Sequence, residues 1–97
     1  MRAMDNERIR RRVIVSGHVQ GVFFRDATRE CAQCHGVAGW ARNRDDGTVE
    51  VLLEGERGAV QAVIAFCADG PSRADVHDVT VIDESVSDEP LSGFQIR

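Results

Sequence analysis

Gly17-His18-Val19-Gln20-Gly21-Val22-Phe23-Phe24-Arg25 links a β-branched run, Val13-Ile14-Val15, to a segment with helical spacing that begins near Phe24. A switch from strand to helix period across a turn with two glycines predicts a strand–loop–helix unit. Gly17 and Gly21 admit backbone angles that other residues resist. The chain can therefore curl with consecutive main-chain N–H groups pointing inward. The helix start adds its own unpaired N–H groups and its positive dipole end. A cation gains nothing from that dipole, so Arg25 reads as a side chain placed for a ligand. Backbone donors, a helix N-terminus and a guanidinium fork together describe a pocket for a dianionic phosphate.

Outward from this loop, a helix is expected from Phe24 to about His35, its apolar stripe made of Phe24, Ala27 or Thr28, Cys31 and His35 and its end capped by Gly36. Val37–Asn43 and Thr48–Glu54 read as strands joined at Asp46-Gly47, where both residue types tolerate positive φ. Gly55 closes the third strand. A second helix follows over Arg57–Ala68, carrying Val60, Val63, Ile64 and Cys67, and stops at Gly70-Pro71. Residues 75–83 and 93–97 read as the last two strands. The order β-α-β-β-α-β plus a short terminal strand predicts an α+β, ferredoxin-like fold: a mainly antiparallel sheet with both helices on one face. Residues 1–9 are expected to be a flexible tail and 10–97 a single domain.

With 97 residues there is room for one hydrophobic core. A net charge of −4 argues against non-specific nucleic-acid binding, so an anion must be captured locally. The cluster Arg2, Arg8, Arg10, Arg11 and Arg12 reads as a solvated tail, being interrupted by Asp5 and Glu7. No apolar stretch approaches the ~20 residues of a membrane span and no secretory segment precedes the first strand, which points to the cytoplasm. Three cysteines, an odd number, fit reduced thiols better than a disulfide framework.

A second motif is Gly39-Trp40-Ala41-Arg42-Asn43, followed by Arg44-Asp45-Asp46-Gly47. Taken alone, Asn43 is either a turn residue bonding its own backbone or a neutral amide placed to hold a water. The two motifs, in this order and spacing, resemble the signatures of the acylphosphatase family over residues 12–97. That resemblance implies hydrolysis of acyl phosphates to carboxylate and inorganic phosphate. Arg25 would bind the phosphate, the loop N–H groups from Val19 to Arg25 would complete its cradle, and Asn43 would orient the attacking water. It implies a small-molecule acyl phosphate as substrate, inorganic phosphate as product and inhibitor, and no metal or cofactor; charge and hydropathy add no nucleic-acid or membrane partner, and nothing in the sequence suggests more than a monomer. Arg44 stands where some members carry a small hydroxyl residue.

The chemistry agrees. The carboxylate is a good leaving group, so the work is to hold phosphoryl oxygens and align a water. A carboxylate at position 43 would repel the phosphate, whereas an amide oxygen can accept from water without that penalty.

Other signals point elsewhere. Cys31-Ala32-Gln33-Cys34-His35 matches a haem-attachment pattern and contains a bare CxxC, but it falls in the last helical turns, where the dipole opposes thiolate. Packing is the simpler reading, and zinc lacks a fourth ligand. His18 is expected to point away from the hollow, and Trp40 and Phe94 to be core or pocket wall. A non-catalytic anion-binding module is the rival reading, although the chain's end soon after the last strand favours a stand-alone enzyme. Single-stranded RNA binding, which uses the same strand order, calls for exposed aromatics that a 5% aromatic content does not provide.

Overall fold

Side-chain alternation decides which side of each strand meets the helices. In the computed structural model, which describes residues 7–86 and 88–97, the elements run β1 (Arg8–His18), α1 (Phe24–Cys34), β2 (Ala38–Asn43), β3 (Val49–Glu56), α2 (Arg57–Asp69), β4 (Asp75–Glu84) and β5 (Phe94–Ile96). The five strands form one sheet in the order β4-β1-β3-β2-β5. Neighbours are antiparallel except β2 and β5, which run parallel. This is the ferredoxin-like α+β fold.

Val13 and Val15 lie opposite Val51 and Val49, and Ala41 opposite Val51. With Leu53 they form the buried floor on which Phe24 and Ala32 of α1 and Val60, Val63 and Cys67 of α2 pack. The helices also touch each other. Phe94 closes this core beneath β5's end of the sheet. Gly70 ends α2 as expected, its N–H donating to the Phe66 carbonyl at 2.6 Å.

The opposite face carries Arg10, Arg12, Glu50, Leu52, Glu54, Trp40 and Arg42. Glu54 is fully buried, taking Nε and Nη2 of Arg10 at 3.0 and 2.9 Å and the Leu91 N–H at 2.8 Å. Glu50 accepts from Arg42 at 2.7 Å and from Arg12, whose Nε also reaches Glu84 at 2.5 Å. Burial disfavours both charged carboxyls. Yet bonds and charge from Arg42 and Arg12 at Glu50, and from Leu91, Arg10 and Arg8 at Glu54, outweigh it and hold both below the usual carboxylate range.

Several expectations are corrected. β1 begins at Arg8 and Ile9 is buried, so strand takes up residues assigned to the tail; residues 1–6 lie outside the described residues. Arg10, Arg11 and Arg12 are strand residues with carboxylate partners, because β3 and β4 set Glu54, Asp83 and Glu84 within reach. β3 runs through Gly55 to Glu56, since Ile9 and Arg8 supply a strand to pair with. His35 caps α1 and is exposed; the buried stripe is Phe24, Thr28 and Ala32. Trp40 is on the open face, half-buried beneath the guanidinium groups of Arg97, Arg12 and Arg42 at 4.8, 5.7 and 5.9 Å from its ring centre.

Candidate active site

The loop leaves β1 at a bulge between Ser16 and Gly17. A β-carbon on Gly17 would lie 2.2 Å from the Asp75 carbonyl oxygen, so the chain passes here only as glycine. Gly21 then takes φ 75° and Phe23 takes φ 62°, ψ 26°. Phe24, 1% exposed, pins the first residue of α1 into the core. The helix's opening bond runs from Ala27 N–H to the Phe23 carbonyl at 3.0 Å. The N–H groups of Phe24 and Arg25 therefore lack intrahelical acceptors, and the dipole makes that end attractive to an anion.

Arg25 is half-buried. Its Nη1 donates to the main-chain oxygen of Arg97 at 3.0 Å, and among the described residues it pairs with no Asp or Glu. One bond steadies the fork and leaves its other N–H groups for a ligand.

Asn43 arrives from the other side. It ends β2 opposite Val49, on the sheet face that the helices cover. Its carboxamide makes no hydrogen bond among the described residues. Asp46 does the local work of the turn instead, accepting the N–H and hydroxyl of Thr48 at 3.0 and 2.6 Å, and these bonds hold its carboxyl below the usual range. The turn itself differs from expectation: Gly47 has φ 90° but Asp46 is not in the positive region, because Gly47 N–H closes on the Arg44 carbonyl at 3.1 Å.

Loop and hairpin are tied by a side chain that the sequence reading used only for its N–H. Gln20 Nε2 donates to the carbonyls of Arg44 at 2.8 Å and Thr48 at 3.0 Å. The strap sets the hairpin bearing Asn43 against the loop bearing Arg25.

A cavity of about 360 Å³ results, bordered by Val19, Gly21, Phe23, Phe24, Arg25 and Asn43, with Asp26 and Ile96 completing it. It thus brings together Arg25, Asn43 and much of the expected cradle. Val22, whose side chain is buried, and Gln20, whose side chain forms the strap, do not line it. Asp26, Ile96 and Arg97 escaped sequence reading; Asp26 is paired with Arg29 at 3.4 Å. Asn43 also borders a more open hollow of about 320 Å³, lined by Arg42 and Arg44 and by Asp45 and Asp46, where the charges balance and no helix N-terminus contributes N–H groups. His18 is exposed and borders neither. On α1, burial and then the neighbouring Cys34 push the Cys31 thiol up, and burial pushes Cys67 up to about 12. Neither favours thiolate.

The acylphosphatase family model matches residues 11–96. The chain belongs to the acylphosphatase family. It is 52% identical over 86 residues to an acylphosphatase of Rubrobacter xylanophilus, covering 89% of this chain and 77% of the relative. It is 50% identical over 88 residues to one from Haloarcula marismortui, covering 91% and 94%. The crystal structure of acylphosphatase from Bacillus subtilis superposes with a TM-score of 0.86 at 39% identity, covering 92% of this chain and 98% of that one. The strand order and both helices are thus those of a solved acylphosphatase fold.

Proposed function

We propose that this acylphosphatase-family enzyme cleaves the carboxyl–phosphate bond of acyl phosphates by in-line attack of a water, giving a carboxylate and inorganic phosphate. The observation that carries this reading is an arginine at a helix N-terminus with no Asp or Glu partner among the described residues, bordering one cavity together with an asparagine whose carboxamide makes no hydrogen bond among them. Arg25 and the N–H groups of the loop and the first turn of α1 grip the phosphoryl oxygens. They stay fixed while charge moves toward the leaving carboxylate, and each such donor contributes about 3–4 kcal/mol to lowering the barrier.

Asn43 accepts a hydrogen bond from the water and aims its oxygen at phosphorus opposite the leaving oxygen. Its amide is neutral, so it does not repel the incoming dianion. The cavity presents no histidine, so the water's proton passes to a phosphoryl oxygen or to bulk solvent. A good leaving group and a matched donor set leave no step that calls for a metal or cofactor. Released phosphate fits the same donors and inhibits. We place the enzyme in the cytoplasm as a monomer; no helix among the described residues is long and apolar enough to cross a membrane.

Hydrolysis of benzoyl phosphate in the presence of a chelator tests the reading. Turnover with competitive inhibition by inorganic phosphate is expected. Tight binding without turnover would instead make the chain an anion-binding module.

A further inference from the structure

Phe23 carries two costs that the fold does not require. Its side chain is 67% exposed. Its backbone is left-handed, and among the described residues it is the one non-glycine residue with positive φ. A side chain there is disfavoured by roughly 1–2 kcal/mol. Its carbonyl, which accepts from Ala27, could be supplied by any residue. Glycine would remove both costs. Strain of this kind, seen in a loop that borders a cavity, points to use of the side chain.

Phe23 borders the cavity that holds Arg25 and Asn43, and Ile96 borders it too. At about 360 Å³ the cavity has the size of a small-molecule pocket and exceeds what one phosphoryl group fills. Its polar donors gather at the helix end, whereas the Phe23 ring and the Ile96 side chain are apolar and have nothing to offer a phosphate.

We propose that Phe23, with Ile96, is the wall for the acyl group, and that it selects acyl phosphates whose acyl part is a flat aromatic over those as small as acetyl. This rests on the acyl-phosphate reading of the site. An aromatic acyl group is conjugated with the scissile carbonyl, so it lies in one plane that a ring can cover. The contact is remote from the reacting bond and equal in ground and transition states, so it acts on KM rather than kcat.

The test compares kcat and KM for benzoyl and acetyl phosphate across wild type, Phe23→Gly, Phe23→Asn and Phe23→Trp. Glycine and asparagine both accept positive φ. Both variants should lower the benzoyl-to-acetyl ratio of kcat/KM by about five- to tenfold, chiefly through the benzoyl KM, whereas Phe23→Trp should keep it. A change in the loop that affects both substrates cancels in the ratio. Thermal unfolding of Phe23→Gly should come no earlier than that of wild type. An unchanged ratio in the glycine and asparagine variants, or an equal fall with tryptophan, would overturn the wall. Wild type that hydrolyses neither phosphate would overturn the reaction itself, a result distinct from a wrong wall.

Discussion

On the open face of the sheet, Arg10 and Arg12 are each met by carboxylates, Glu54 for the first and Glu50 and Glu84 for the second. Across the sheet, at the start of α1, Arg25 meets the main-chain oxygen of Arg97 and, among the described residues, no Asp or Glu. The same side chain serves opposite ends. Where β3 places glutamates on the open face, guanidinium groups neutralise them and the result is cohesion. Where the loop turns backbone N–H groups outward beside an unmatched guanidinium, positive charge accumulates instead. An acidic protein gathers that charge at one point because the rest of its arginine-rich sheet is internally balanced.

Breaking the unmatched site should have the largest effect. Arg25→Gln is expected to lower kcat/KM for benzoyl phosphate by about 10²–10³ and to abolish inhibition by inorganic phosphate, while leaving the unfolding midpoint within experimental error. Asn43→Ala should lower kcat by about 10², with phosphate inhibition retained. If Asn43→Ala instead kept kcat and lost phosphate inhibition, the division of labour would be reversed.

Breaking the matched face should change stability and spare chemistry. Glu54→Gln strands Arg10 beside a buried neutral group and is expected to destabilise by about 3 kcal/mol in urea titration, with kcat of the folded fraction unchanged. A stable variant with reduced kcat would mean that the open face belongs to the site.

The smallest effect sharpens the contrast through pH. Glu50 and Glu54 titrate below their ordinary value of 4.5 in the folded chain, so the unfolded chain takes up protons first as acid is added. Their stabilisation is therefore complete above that value and is lost as pH falls through the lowered ones. Urea midpoints measured from pH 7 to pH 3 should drop in this window, and Glu54→Gln should flatten the drop. A wild-type midpoint that held level down to pH 3 would show that these pairs contribute little.

The element order and the loop were legible because period, glycines and caps are local signals. Phe24, Val60, Val63 and Cys67 sit where their spacing put them. What escaped depended on pairing across the chain. Arg10 and Arg12 look like a basic tail until Glu54 is placed opposite the first and Glu50 within reach of the second, and Ile9 looks dispensable until Gly55 continues β3 beside it. Trp40 has the residue type of a core position, yet its register with Leu52 sends it to the open face. At the site, the helix dipole singled out Arg25, and the resemblance decided between the two readings of Asn43. The Gln20 strap was invisible because both of its acceptors are main-chain oxygens more than twenty residues away. The left-handed turn at Phe23 has no sequence signature, since glycine is the residue that normally announces one.

A crystal structure grown in sulfate is decisive for the anion site. A sulfate is expected in the Arg25–Asn43 cavity, its oxygens about 2.7–3.1 Å from loop and helix N–H groups and from the Arg25 guanidinium. Sulfate bound elsewhere, with the Arg25 side chain swung onto a protein carboxylate, would contradict it.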